Sequence, residues 1–220
     1  MDLERVEREL KKRWALPYRW GRKQSDLWDK ETNFIYTTYS VASLIRKTEH
    51  LDEALRHYAW NRWYNFWSAM AIEDIFTSHP QVTANKNRYD KLVDFTIEHI
   101  PFDHKSSVFP RGFQKPYHYA KEHKMELIYW LYANQSQQGR KHLKNRLFIV
   151  LYDKDGEHWK MKAEIMHIKK HIDNYVHRFD KKQLHRIRLE QSEALSDIIW
   201  IDNVSPLHRT FRDIGEYRLG

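Results

Sequence analysis

The sequence predicts an α/β domain, in which a small mixed β-sheet is flanked by helices and preceded by a helical N-terminal section. Three observations carry this. Apolar residues recur at helical spacing through the first 76 positions. Residues 92–108 then alternate in short runs, so that position parity decides the face. Finally, residues 147–152 read LFIVLY, a continuous apolar run of the kind found in strands covered on both sides.

The elements follow in order. The first 24 residues read as one amphipathic helix and a loop, with Pro17 and Gly21 as breakers. Ser25 caps a second helix to about Lys47, with Leu27, Phe34, Tyr39 and Leu44 among its apolar positions. Asp52 opens the third and longest helix, through about Phe76, where Trp63, Phe66, Trp67 and Met70 form a broad apolar stripe. Pro80 ends it. Residues 81–91 are polar and loop-like, with Val82 and Thr83 offering only a fragment of strand. Two strands follow within 92–108. Pro110, Gly112 and Pro116 mark a loop into a helix from His118 to Gln138, with Leu127, Trp130 and Leu131 toward the core. A strand from Asn145 to Tyr152 and the turn DKDGEH come next. A basic helix spans Trp159 to Phe179, burying Ile165, Ile168, Ile172 and Val176. Asp197 to Ile201 is the last strand, before an irregular tail. No repeat or linker divides the chain. It reads as a single domain, residues 1–220: a helical extension over 1–50, a core over 51–153, and the basic helix, last strand and tail over 154–220.

Composition narrows the function. Hydrophobic content of 41% with 31% charged residues suits a folded globular protein. No apolar run approaches the ~20 residues needed to span a bilayer, so no membrane partner is expected. The first residues, MDLERVERELKKRW, carry acids and no apolar stretch, unlike a secretory signal. Cysteine is absent, which excludes disulfides and thiolate metal sites and fits a reducing, cytoplasmic setting. The net charge is +8. Residues 160–188 hold nine Lys or Arg against three acids, Lys169 and Lys170 among them. Residues 140–146 hold Arg140, Lys141, Lys144 and Arg146 with no acid. Such clusters suit a polyanion, and these six cations are the candidate nucleic-acid contacts. Tyr117, Tyr119, Trp14 and Trp20 stand near basic residues and could stack on unpaired bases. His167 and His171, i,i+4 apart with Glu164 a turn earlier, have zinc-binding spacing, but fourteen His make chance pairs common. The chain has no HExxH, no GxGxxG or Walker loop and no GxSxG elbow.

The chemistry concentrates in LVDFTIEHIPFDHKSSV, residues 92–108. Along the first strand Val93, Phe95 and Ile97 point one way, and Asp94 and Thr96 the other. Along the second, Phe102 and His104 share one face, and Asp103 and Lys105 the opposite one. If the strands pair, Asp94, Asp103 and Lys105 converge on one surface. Two carboxylates and an ammonium there can hold a divalent metal beside a positioned cation. Without a metal, the same residues make an ordinary cross-strand ion pair. His104 reads as packing against the sheet.

Asp94, followed after eight residues by Asp103-x-Lys105, resembles the signature of the PD-(D/E)XK nuclease superfamily, whose members carry the restriction-endonuclease-like fold. The resemblance covers roughly Leu51 to Asp153, and the order of predicted elements is similar to that family's αβββαβ core. It implies that Asp94 and Asp103 hold Mg²⁺, or Mn²⁺ in its place, and that Lys105 positions or activates the attacking water. It implies a further acid from the first core helix, Glu73 with Asp74 beside it. It also implies a Gln or basic residue from the next helix, for which Gln135, Gln138 and Arg140 are candidates. Two features depart from the pattern: Val93 stands where the family commonly has Pro, and the first strand is only a fragment. The expected function is metal-dependent hydrolysis of phosphodiesters, in DNA sooner than RNA, with a homodimer or larger complex compatible with cutting two strands. The alternative is a nucleic-acid-binding or assembly module that keeps the fold without catalysis.

Overall fold

The computed structural model describes residues 1–19, 26–85, 87, 93–135, 144–189 and 192–203. Four helices come first: α1 (Leu3–Lys12), α2 (Asp26–Glu31), α3 (Val41–Thr48) and the 25-residue α4 (Glu53–Thr77). Side-chain caps start three of them: Asp2 accepts from Arg5 N–H, Ser40 from Ser43 N–H, and Asp52 from Leu55 N–H. The helix predicted from Ser25 to Lys47 is in fact two, α2 and α3, joined by a 3₁₀ segment over Asn33–Thr37. The cause is local. Thr32 and Thr38 hydroxyls donate back to the Trp28 and Phe34 carbonyls, and Ser40 then caps a new start. Ser25 itself lies outside the described residues.

Helix α4 is the spine, and it is buried on most sides. Trp63, with no exposed surface, donates its indole N–H to the Thr38 carbonyl at 2.6 Å, and Trp67 donates to the same oxygen at 2.9 Å. Trp60 donates to Thr48 Oγ1 at 3.0 Å. The aromatic stripe thus buries area and fastens the N-terminal section through each ring's polar handle. No described helix is long and apolar enough to cross a membrane.

The sheet follows: β1 (Val82–Ala84), β2 (Phe95–Ile97) and β3 (Ile100–Val108) form an antiparallel meander. Helices α5 (Tyr117–Glu122) and α6 (Lys124–Gln135) cross over to β4 (Arg146–Asp153), which pairs parallel with β3. Helix α7 (Ile165–His177) leads to β5 (His185–Leu189) and β6 (Ser192–Asn203). The strand order is β1-β2-β3-β4-β6-β5, with β6 parallel to β4 and β5 antiparallel to β6. The fragment at Val82 is therefore a true first strand, too short to announce itself without its partner. Strand β5 was not anticipated. It alternates exposed Arg186 and Arg188 about buried Ile187, and both arginines pair with Glu193 across the hairpin. The helix expected over His118–Gln138 breaks at His123 into α5 and α6.

Each face of the sheet has its own core. Leu147, Ile149 and Leu151 of β4 join Phe95, Ile97 and Phe102 under α1, α3, α4 and α7. Phe148 and Val150 face the other way, onto Leu127, Ile128 and Leu131 of α6. The six consecutive buried residues of β4 are thus divided by parity between two layers, as its unbroken apolar run predicts.

Candidate active site

The site forms where β2 and β3 part. A two-residue turn at Glu98 and His99, with φ of 46° and 69°, sets the register Phe95↔Phe102 and Ile97↔Ile100. Continuing that register puts Asp94 opposite Asp103. Strand β2 begins only at Phe95, however, and Asp94 lies in the bend before it, where its N–H donates to the Phe102 carbonyl at 2.8 Å, one residue off that register. On β3, Asp103 N–H points to Asn145 of the segment entering β4. The next N–H, that of His104, points the other way, into the gap left by β2. Asp94 fills that gap: its Oδ2 accepts from His104 N–H at 2.8 Å and lies 2.7 Å from His104 Nδ1.

Asp94 therefore does not simply join Asp103 and Lys105 on one face, as parity predicts. Its carboxylate lies along the strand edge, because a side chain has replaced the missing backbone partner. Burial by itself would raise its pKa. The two His104 hydrogen bonds and charge, with Lys105 adding its own, outweigh burial and hold Asp94 below the usual carboxylate range.

Asp103 and Lys105 do share a face, the one covered by α6. Asp103 is almost fully buried, and Lys105 Nζ donates to its Oδ1 at 2.7 Å. Its other oxygen accepts from Arg146 Nε at 3.1 Å. Arg146 was expected among the phosphate-holding cations; it is instead a buried partner of Asp103, placed there by the parallel register Asp103↔Arg146. The Tyr132 ring lies 5.1 Å from its guanidinium. Burial pushes Tyr132 up to about 12, so its hydroxyl keeps its proton and donates to the Lys144 carbonyl at 2.6 Å. Lys105 keeps 46% of its side chain exposed and is the site's opening to solvent.

Several of the remaining candidates lie outside the described residues. Glu73 rises from α4, in the layer covering the face opposite Asp103 and Lys105. Asp74 accepts from the Met1 amino group, away from the site. Gln135 ends α6, with its side chain outside the described residues, as are Gln138, Arg140 and Lys141. Lys169 bonds Asp173 at 2.5 Å, whereas Lys170 is exposed. Tyr117 is buried and stacked on Tyr152 at 3.9 Å, so it offers no free face, and Tyr119 stacks on His123. Trp14 is half-buried, its indole donating to the Tyr64 hydroxyl; Trp20 lies outside the described residues. His167 and His171 face one another at 4.8 Å, and the His167 ring meets the Asp202 carbonyl. No cluster of three His, Asp or Glu at metal-binding spacing occurs among the described residues.

Two partners escaped the sequence reading. His104 holds Asp94, and Arg146 holds Asp103. Parity was the available signal for Arg146, since a parallel neighbour in register shares Asp103's face; the register itself cannot be read from the sequence. Carboxylate oxygens suit Mg²⁺, which commonly uses one or two of them together with substrate phosphate and water. Asp94 and Asp103 are two carboxylates of this kind, Asp94 with one oxygen on His104 and Asp103 with its two oxygens on Lys105 and Arg146. No donor among the described residues reaches Asp94 Oδ1. A scan of protein-family models and searches of curated proteins and of solved structures give no match to this chain.

Proposed function

We propose that this chain is a metal-dependent nuclease, an endonuclease-type phosphodiesterase acting on DNA. One observation carries the reading. Asp94, Asp103 and Lys105 lie at the parting of β2 and β3, within a helix, three antiparallel strands, crossover helices and a parallel strand. Mg²⁺ or Mn²⁺ held by Asp94 and Asp103 would supply charge at the scissile phosphate and a more acidic bound water. The chain's own residues do the rest. Lys105, anchored on Asp103 and open to solvent, orients the attacking water and offsets developing negative charge. Arg146 holds the far oxygen of Asp103 and keeps that carboxylate turned toward Lys105. Exposed cations such as Lys170 on α7 meet the phosphate backbone.

A second reading has its own support. Both oxygens of Asp103 are already met by cations, and the described residues supply no third acid at the site. That favours a module that binds nucleic acid, or joins an assembly, without cutting. One experiment separates the two. Supercoiled plasmid, linear duplex, single-stranded DNA and RNA are incubated with Mg²⁺ or Mn²⁺ and wild type, Asp103→Ala or Lys105→Ala, each verified as folded by circular dichroism. Nuclease action predicts cutting by wild type and a loss of at least about 100-fold in both variants. Equal cutting by all three, or salt-sensitive binding with no cutting, rejects it.

A further inference from the structure

We propose that His104 is the positioning residue for Asp94, fixing that carboxylate so that Oδ1 is the oxygen left to meet a divalent cation. The proposal rests on the metal-dependent reading above and identifies how one ligand of that site is held. Three observations support it.

The first is that both His104 bonds fall on one oxygen. Backbone N–H and ring Nδ1 converge on Asp94 Oδ2 at 2.8 and 2.7 Å. A carboxylate oxygen facing two nitrogens at these distances accepts from both, so the proton of the ring is placed on Nδ1. The second is that the ring cannot swing. It is 7% exposed and stacked against Phe95 at 6.0 Å, with Phe76 at 6.4 Å. The third is that Asp94 needs holding. It precedes β2, in a bend whose backbone bonds to Phe102 and Asn85, and among the described residues only His104 bonds its side chain.

The combination is a carboxylate with one oxygen saturated by a rigid donor pair and the other without a donor among the described residues. Outer partners of this kind, which orient a ligand through its second atom, set metal affinity by factors of about 10–100. They do so by removing the cost of ordering the ligand when the metal arrives. Packing explains the ring's burial between two Phe side chains; it does not require the ring nitrogen to meet a carboxylate.

The test compares two substitutions that divide the ring's two roles. His104→Phe keeps the stack with Phe95 and Phe76 and removes the Nδ1 donor. His104→Asn removes the stack and keeps an N–H near the Nδ1 position. Mn²⁺ affinity is measured by electron paramagnetic resonance of free Mn²⁺ at pH 7.5, beside wild type and Asp103→Ala. Circular dichroism and thermal melting check each fold, and His104→Leu replaces the Phe variant if that does not fold. Positioning predicts that His104→Phe weakens Mn²⁺ binding by about 10–100-fold while His104→Asn stays within a few-fold of wild type. Melting should rank them the other way, with Asn the less stable. Equal Mn²⁺ affinity in wild type and His104→Phe overturns the positioning role and leaves the metal site standing. Weaker binding by Asn than by Phe assigns His104 to packing and also overturns it. Absence of Mn²⁺ binding in wild type overturns the metal reading itself and the positioning role with it.

Discussion

Buried charge is handled in two different ways in this molecule. Asp103 is buried with two cations on it. Arg13, fully buried, and Lys162, half-buried, are in contrast held by neutral oxygens. Arg13 donates to the Leu16 and Pro17 carbonyls and to Asn61 Oδ1, pinning the loop after α1 onto α4; burial lowers it to about 10, so it remains a cation. Lys162 donates to Asn65 Oδ1 at 2.6 Å, with no carboxylate ion-paired to it among the described residues, and burial lowers it from 10.5 to about 8. That shift has a definite sign. At pH 7 folded and unfolded chains both carry the proton, and the full cost of burying the charge is present. Between about pH 8 and 10.5 the folded chain has released the proton and the unfolded chain has not, so stability rises with pH. Urea unfolding at pH 7 and pH 10 should show Lys162→Met gaining over wild type at the lower pH, by about 2 kcal/mol, with the gap closing at the higher. A gap that is constant with pH assigns the effect to packing and not to the amine.

At the scale of the element, the β2–β3 hairpin decides the site. Side chains alternate with a period of two, so a slip of one residue would turn Asp103 and Lys105 onto the α4 side and His104 onto the α6 side. The turn that sets this register is made of two residues poorly suited to it. Glu98 and His99 both adopt positive φ, which costs an L-residue with a Cβ roughly 1 kcal/mol or more. Asn-Gly fits the same two-residue turn without that penalty. The double substitution Glu98→Asn, His99→Gly should therefore raise stability by about 1 kcal/mol, read as a higher urea midpoint at unchanged m-value. Both residues are exposed and remote from the carboxylates, so Mn²⁺ affinity should not change. A lower midpoint would show that Glu98 or His99 makes a stabilising contact that outweighs its backbone strain.

For the whole molecule, the 38 Lys and Arg side chains are less available than their number suggests. Lys11, Lys12, Lys121, Lys124, Lys160 and Lys169 are paired with acids, and Arg62 and Arg146 likewise. Among the described residues, Lys170, Arg178, Lys181 and Lys182 are exposed and ion-paired with no acid, and they gather on α7 and just beyond it. They are the described surface best suited to a phosphate backbone. Duplex binding should weaken linearly in log–log plots against salt, by about 0.9 decade per decade for each phosphate neutralised. Lys170→Glu with Arg178→Glu should lower that slope by about 2 and weaken binding to all sequences alike. An unchanged slope in a fluorescence-anisotropy titration would move the contact surface elsewhere.

Much of this architecture is legible in local pattern alone. Asp52 and the 3.6-residue period mark α4 to within a residue of its start, because a cap and an apolar stripe act over a single turn. Ile165, Ile168, Ile172 and Val176 are the buried side of α7 for the same reason. The parity of β3 puts Asp103 and Lys105 on one face and His104 on the other. What local pattern cannot carry is pairing between distant segments. Strands β1 and β5 are three and five residues long, and they are stable as strands through partners that give them a ladder. Arg146 reaches Asp103 from 43 residues away through the parallel register, which depends on how the crossover helices pack. Asp94 turns to His104 because β2 begins one residue after it, leaving a backbone donor for a side chain to meet. Those are hydrogen-bonding and electrostatic demands of the assembled sheet. They arise only after the chain has folded, and so the carboxylates were visible in the sequence while the groups that hold them were not.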